Sequence, residues 1–150
     1  MRHVPALLVL FLAMGGCNMP TEEPMIAEAI RDLDAALSRT LQAARLPADV
    51  KREQGTRLCY SETRHIADVD IDGTSDDPAE TVVTVLASWR REGLTVQIDR
   101  TTDLQSPQAT VRGRLTEMTI MGFPDRKAVW IWGSTHCLEG EVPEKWRDVL

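Results

Sequence analysis

The segment Asp68-Val69-Asp70-Ile71-Asp72-Gly73 places three carboxylates at alternate positions ahead of a glycine. A hard cation such as calcium takes oxygen ligands at roughly 2.3–2.6 Å, and loops that bind it open with this pattern. Counted from Asp68, Asp76 falls at the ninth position, where such loops also carry a ligand. The twelfth position is Ala79, so the bidentate glutamate is missing, and Glu80 stands one residue late. Asp77 and Glu80 have a competing use at the start of a helix. Asp68, Asp70, Asp72 and Asp76 thus form a candidate calcium set that lacks its strongest ligand. The other reading is a strand whose acidic face is solvated. No other cofactor is implied.

A second group is aromatic. Trp130 and Trp132 are two residues apart and share one face of an extended segment, with Val129 and Ile131 on the other. Met118 and Ile120 alternate with Thr119 and Met121 in the same way on the segment before it. A sheet wet on one side should not be apolar on both, so the second face calls for a cover. A terminal helix carrying Trp146 and Leu150 is one candidate for it. The alternative is an aromatic binding platform for a partner protein, a sugar polymer or an apolar ligand.

Catalytic chemistry finds few residues. His65 and His136 lie outside the leader described below, and Ser134 shares a face with His136, but no G-x-S-x-G elbow surrounds that serine. HExxH, P-loop and GxGxxG patterns do not occur. No catalytic residue is assigned.

The three cysteines divide by context. Residues 1–16 place Arg2 before an apolar run from Val4 to Met14, too short to span a bilayer and of signal-peptide length. Met14, Gly15 and Gly16 lead directly into Cys17, and this resembles the lipobox of bacterial lipoproteins. The resemblance implies a diacylglyceryl group on the Cys17 thiol, cleavage before it and acylation of the new N-terminus. Such chains would hold the protein stably on a lipid bilayer. The remaining pair, Cys59 and Cys137, would then meet an oxidising compartment and is expected to form a disulfide. Residues 17–24 read as a tether and residues 25–150 as a single extracytoplasmic domain.

The elements that position these groups follow from period. Ile26, Ile30, Leu33, Leu37, Leu41 and Ala44 form one apolar helical stripe that Pro47 ends. Residues 47–56 are polar and read as a connection, followed by an extended segment from Arg57 to Thr63 and another over 66–71. Asp77-Pro78 with Glu80 starts a second helix, which runs to about Glu92 and closes at Gly93. Period two then takes over at Leu94, Val96 and Ile98. Residues 109–121 read as one long strand bent at Gly113, and 128–137 as its hairpin return. Pro143 opens a short terminal helix. The fold class is α+β, a two-layer domain with helix, strand, helix and then a mainly antiparallel sheet of three or more strands.

Composition bounds the function. Net charge is −6 over 150 residues, which argues against a nucleic-acid binder. Removal of Arg2 with the leader leaves 16 basic residues against 23 acidic, a charge of −7. An anionic domain beside an anionic membrane is expected to stand off it. Beyond the lipobox, the Cys-bearing strand, the helix ending Ser88-Trp89-Arg90-Arg91-Glu92-Gly93 and the closing Ser134-to-Cys137 segment resemble small actinobacterial lipoproteins with no general assigned activity. The sequence therefore leads to a membrane-anchored binding or interaction module of the cell envelope, with an envelope protein or polymer as partner. A structural accessory protein is the alternative, and a hydrolase of envelope material using His65 or His136 a weaker one.

Overall fold

A computed structural model describes residues 24–146. The signal segment, Cys17 and the tether as far as Glu23 lie outside the described residues, as do Arg147 to Leu150.

Helix α1 runs Ile26–Ala44, and every member of the stripe read from the sequence is buried on it. The chain leaves the helix through Arg45, in the left-handed conformation at φ 56°, and Leu46 N–H returns to the Leu41 carbonyl at 2.9 Å. Helix α2 runs Pro78–Arg91. Its start is the expected one: the Asp77 carboxylate accepts from Glu80 N–H at 3.0 Å and Pro78 occupies the first turn. Gly93, at φ 78°, ends it.

Seven strands make one sheet: β1 (Arg52–Cys59), β2 (Ser61–Thr74), β3 (Thr95–Arg100), β4 (Gln108–Arg112), β5 (Thr116–Phe123), β6 (Ala128–Thr135) and β7 (Leu138–Glu139). Their order is β1-β2-β6-β5-β4-β3, with β7 beside the start of β2, and every adjacent pair is antiparallel. The α+β reading holds. Three boundaries differ from expectation. The segment expected to run extended from Arg57 to Thr63 is broken at Tyr60, where β1 turns back into β2. The segment 109–121 is not one bent strand but two, β4 and β5, because the chain reverses at Gly113-Arg114-Leu115, where Gly113 N–H bonds the Thr116 carbonyl at 2.8 Å. The polar connection ends sooner than expected, since Arg52 to Thr56 already belong to β1.

Both helices lie on one face, over Ala67, Val69 and Ile71 of β2, Val129 and Ile131 of β6, Met118 and Ile120 of β5, and Ala109 and Val111 of β4. Alternation of small and branched residues lets the helices sit close. A Cβ on Gly133 would stand 2.8 Å from a Leu33 methyl, so glycine is what admits α1 to β6. One polar knot crosses this core. Trp89 of α2 is fully buried, and its indole N–H donates at 2.9 Å to Thr40 of α1, whose hydroxyl donates to the Ala36 carbonyl at 2.9 Å.

The helices contact β2, β4, β5 and β6, which leaves edge strand β1 to be covered by something else. The C-terminal segment does this. A 3-10 turn at Glu144–Trp146 buries Trp146 to 1% exposure, and the Lys145 carbonyl accepts from Gln54 of β1 at 2.9 Å. Gln54 faces the helix side, opposite Val69. Trp146 therefore completes the helical layer and does not cover Trp130 and Trp132. Its turn packs beside β1, and Trp146 joins the same core cluster as the α1 stripe.

Candidate functional site

The face of the sheet opposite the helices is built from rows fixed by register. One row runs Glu53, Asp70, Trp132, Thr119, Thr110; the next runs Asp72, Trp130, Met121, Gln108; a third runs Gly55, Asp68, Ser134, Glu117, Arg112. Among the described residues no helix lies on this side. Trp130 and Trp132 are half-buried here, by each other's neighbours in the pleat and not by a covering layer.

The polar groups between them are organised. The Trp130 indole N–H donates to Asp70 Oδ1 at 2.9 Å. Thr110 and Thr119 share a hydrogen bond at 2.9 Å across β4 and β5. Arg57 pairs with Asp68 at 2.8 Å, Arg112 with Glu117 at 2.9 Å, and Lys51 with Glu53 at 2.7 Å. Burial pushes the Asp68 carboxyl above the usual range against the pull of Arg57, and Asp70 beside it pushes the same way. Arg57 and Arg112 are thus matched to carboxylates, while Arg100, opposite Gln108 on edge strand β3, stands exposed on the same face.

Where β6 ends, the same face sinks into a groove of about 400 Å3 lined by Tyr60, Ile66, Arg112, Glu117, Ser134, His136 and the disulfide. Cys59 and Cys137 are bonded, with Cα atoms 6.1 Å apart, as expected from the cysteine count. Burial, and then the Arg112 charge, hold the His136 imidazole below its ordinary range, with Glu117 opposing. Ser134 and His136 do line one groove. His65 lies elsewhere: it shares its face with Ala67 on the helix side, and its Nδ1 is buried without a partner. The two histidines are not brought together.

The calcium reading is corrected by the backbone. Asp68, Asp70 and Asp72 lie in β2, an extended strand, and do not wrap a loop. Alternate residues of a strand are about 6.6 Å apart, so the outer two carboxylates start about 13 Å apart, too far to share one ion. Asp76 lies past the end of β2, in a separate groove with Asp77 and Glu80 at the start of α2. Among the described residues no three His, Cys, Asp or Glu side chains converge as a metal cage. Sequence reasoning set Thr119 and Met121 opposite Met118 and Ile120 without placing them beside the tryptophans, and it missed Tyr60 and the pairing of Arg57 with Asp68 on this face. Only strand register reveals them, and pairing partners are not written in a single sequence.

No helix of the described residues is long and apolar enough to cross a membrane. No family model matches the chain, and neither a curated protein nor a solved structure is similar to it.

Proposed function

We propose that the protein is an acylated lipoprotein of the bacterial envelope whose domain binds a sugar polymer on the open face of its sheet. The anchor rests on the order of Arg2, the apolar run, Met14-Gly15-Gly16 and Cys17. The disulfide agrees with an oxidising compartment. The binding role rests on one observation: Trp130 and Trp132 stand side by side, half-buried, on a face to which the described residues bring no cover.

The chemistry favours a sugar over other ligands. Indole rings offer flat apolar surface to the C–H faces of a pyranose, while Asp70, Asp72 and Gln108 beside them can accept hydroxyl protons. Five carboxylates of this face, Glu53, Asp68, Asp70, Asp72 and Glu117, together with the pairing of Arg57 and Arg112, work against an anionic ligand here. Two aromatic residues on one strand also suit a repeating polymer better than a compact metabolite.

Co-sedimentation with insoluble cell-wall polymer, and tryptophan emission with soluble wall oligosaccharides, test this. The parent protein should pellet and shift its emission; Trp130→Ala and Trp132→Ala should weaken binding about tenfold or more, the loss of one buried aromatic anchor. Equal sedimentation of the parent and the double variant, with unchanged circular dichroism, would sink the sugar reading. A concentration-dependent dimer held by the same tryptophans would replace it with a protein partner.

A further inference from the structure

Six large hydrophobic side chains are exposed among the described residues, and three of them gather at one end of the domain: Met25, Leu58 and Tyr60. Val83, Ile98 and Leu104 are scattered over α2, β3 and the loop after it. The gathering is a consequence of the β1–β2 hairpin. Strand β2 pairs with β6 only from Asp68 onward, so the hairpin projects past β6 toward its turn at Tyr60. The projection is held firmly. Cys59 is bonded to Cys137, and Arg64 and His65 pair with Glu139 and Leu138 of β7.

Tyr60 sits at the tip with φ 60°, a backbone region that glycine or asparagine fills at lower cost. The tyrosine there turns its ring outward, 95% exposed. Leu58 is 58% and Met25 48% exposed. Leu58 faces the helix side opposite His65, and Met25 and His65 line one groove of about 620 Å3. The three side chains therefore ring one end of the molecule.

That end is also where the chain enters. Met25 is eight residues from Cys17, a reach of at most about 28 Å when fully extended. We infer that the hairpin tip, with Leu58, Tyr60 and Met25, docks in the headgroup region of the bilayer to which Cys17 is attached. The inference rests on the lipoprotein reading. Tyrosine suits that region because its ring is apolar and its hydroxyl wet. Charge at this end is largely cancelled, since Arg57 pairs with Asp68, Arg64 with Glu139 and Arg114 with Glu28. With Glu62 and Glu141 also present on the groove, contact is apolar and does not depend on anionic lipid. The tip is too small to hold a protein on lipid by itself. The acyl anchor supplies the effective concentration that makes it count.

The test uses the full acylated protein in phosphatidylcholine vesicles, with and without phosphatidylglycerol. Mass spectrometry of the N-terminus first establishes acylated Cys17. A Tyr60→Trp variant is then compared with the parent for quenching by lipids labelled near the headgroup. The added indole should be quenched, no more strongly with phosphatidylglycerol than without it, and the quenching should be lost when Met25→Ser and Leu58→Ser are added. Acylated protein whose position 60 stays unquenched would overturn the docking and leave the anchor standing. A Cys17 without acyl groups overturns the anchor, and the docking with it, before any vesicle is used. Should Tyr60→Trp fail to fold, amide exchange across residues 57–63 of the unsubstituted protein decides. Slower exchange on vesicles than in the Met25→Ser, Leu58→Ser variant supports docking, and equal exchange refutes it.

Discussion

The indole N–H of Trp130 reaches Asp70 at 2.9 Å, although the residue directly opposite Asp70 in the β2–β6 ladder is Trp132. The bond is diagonal, and it sets the tilt of the Trp130 ring on the open face. Asp70→Ala should cost about 1 kcal/mol, the worth of a hydrogen bond to a partly exposed charged group. A double-mutant cycle with Trp130→Phe, read by urea unfolding, should return most of that as coupling. A coupling of zero would mean the ring is held by packing alone.

The Thr40–Trp89 bond belongs to the core and behaves differently. Trp89 has 0% exposure, so Thr40→Val leaves its N–H buried without a partner. A loss of about 1–3 kcal/mol in unfolding free energy is expected, near the full desolvation cost of that donor. Thr40→Ser, which keeps the hydroxyl, should recover most of the loss.

Reduction of Cys59–Cys137 frees a loop with a sequence separation of 78. In the chain-entropy model such a crosslink contributes about 4–5 kcal/mol. Against a typical total of about 5–15 kcal/mol, the reduced domain is left close to unfolding. Thermal unfolding with and without reductant, repeated on Cys59→Ala/Cys137→Ala, measures this; an unchanged midpoint would contradict it.

His136 predicts a pH dependence. Its imidazole is held below the ordinary range by burial and by Arg112, so the unfolded chain takes up the proton first as pH falls. Stability is full above about pH 6.5, the unfolded value. It declines as pH drops from there to the lower folded value. His136→Asn should flatten that part of the stability–pH curve, and an unaltered curve would assign the decline to other groups.

Calcium should leave the protein unaffected. A site half built would still add about 2.7 kcal/mol at a hundredfold excess over its dissociation constant. The melting temperature should be the same in millimolar calcium and in chelator. A rise would mean that the aspartates of β2 leave their strand to reach an ion.

The helices were readable because their signals are local. The α1 stripe and the Asp77-Pro78-Glu80 start depend only on residues within a few turns, and both formed as read. The open face was half readable. Trp130 and Trp132 could be placed on one face from period two, but what lay opposite could not, since an uncovered edge strand on the helix side and a bare sheet face present the same demand to Trp146. The first half of β1 was hidden because, as an edge strand, it carries Arg52, Glu53, Gln54 and Thr56 where an inner strand would be apolar, and the turn into β2 was hidden because Tyr60, with neither glycine nor asparagine beside it, takes the left-handed position. Gly113 signalled a bend correctly and a reversal not at all. The aspartates misled because DxDxD satisfies an acidic strand face and the opening of a calcium loop equally well, and only the backbone separates the two.

The order β1-β2-β6-β5-β4-β3 has a consequence for when the protein can fold. Strand β2 has β1 on one side, made just before it, but Asp68 must wait for Ser134 and Thr74 for Ala128 on the other. Until β6 exists, Ala67, Val69 and Ile71 and the stripe of α1 lack the strand between them and the rest of the core. A chain emerging from its N-terminus therefore has no stable half-product, and closure comes late, through contacts distant in sequence.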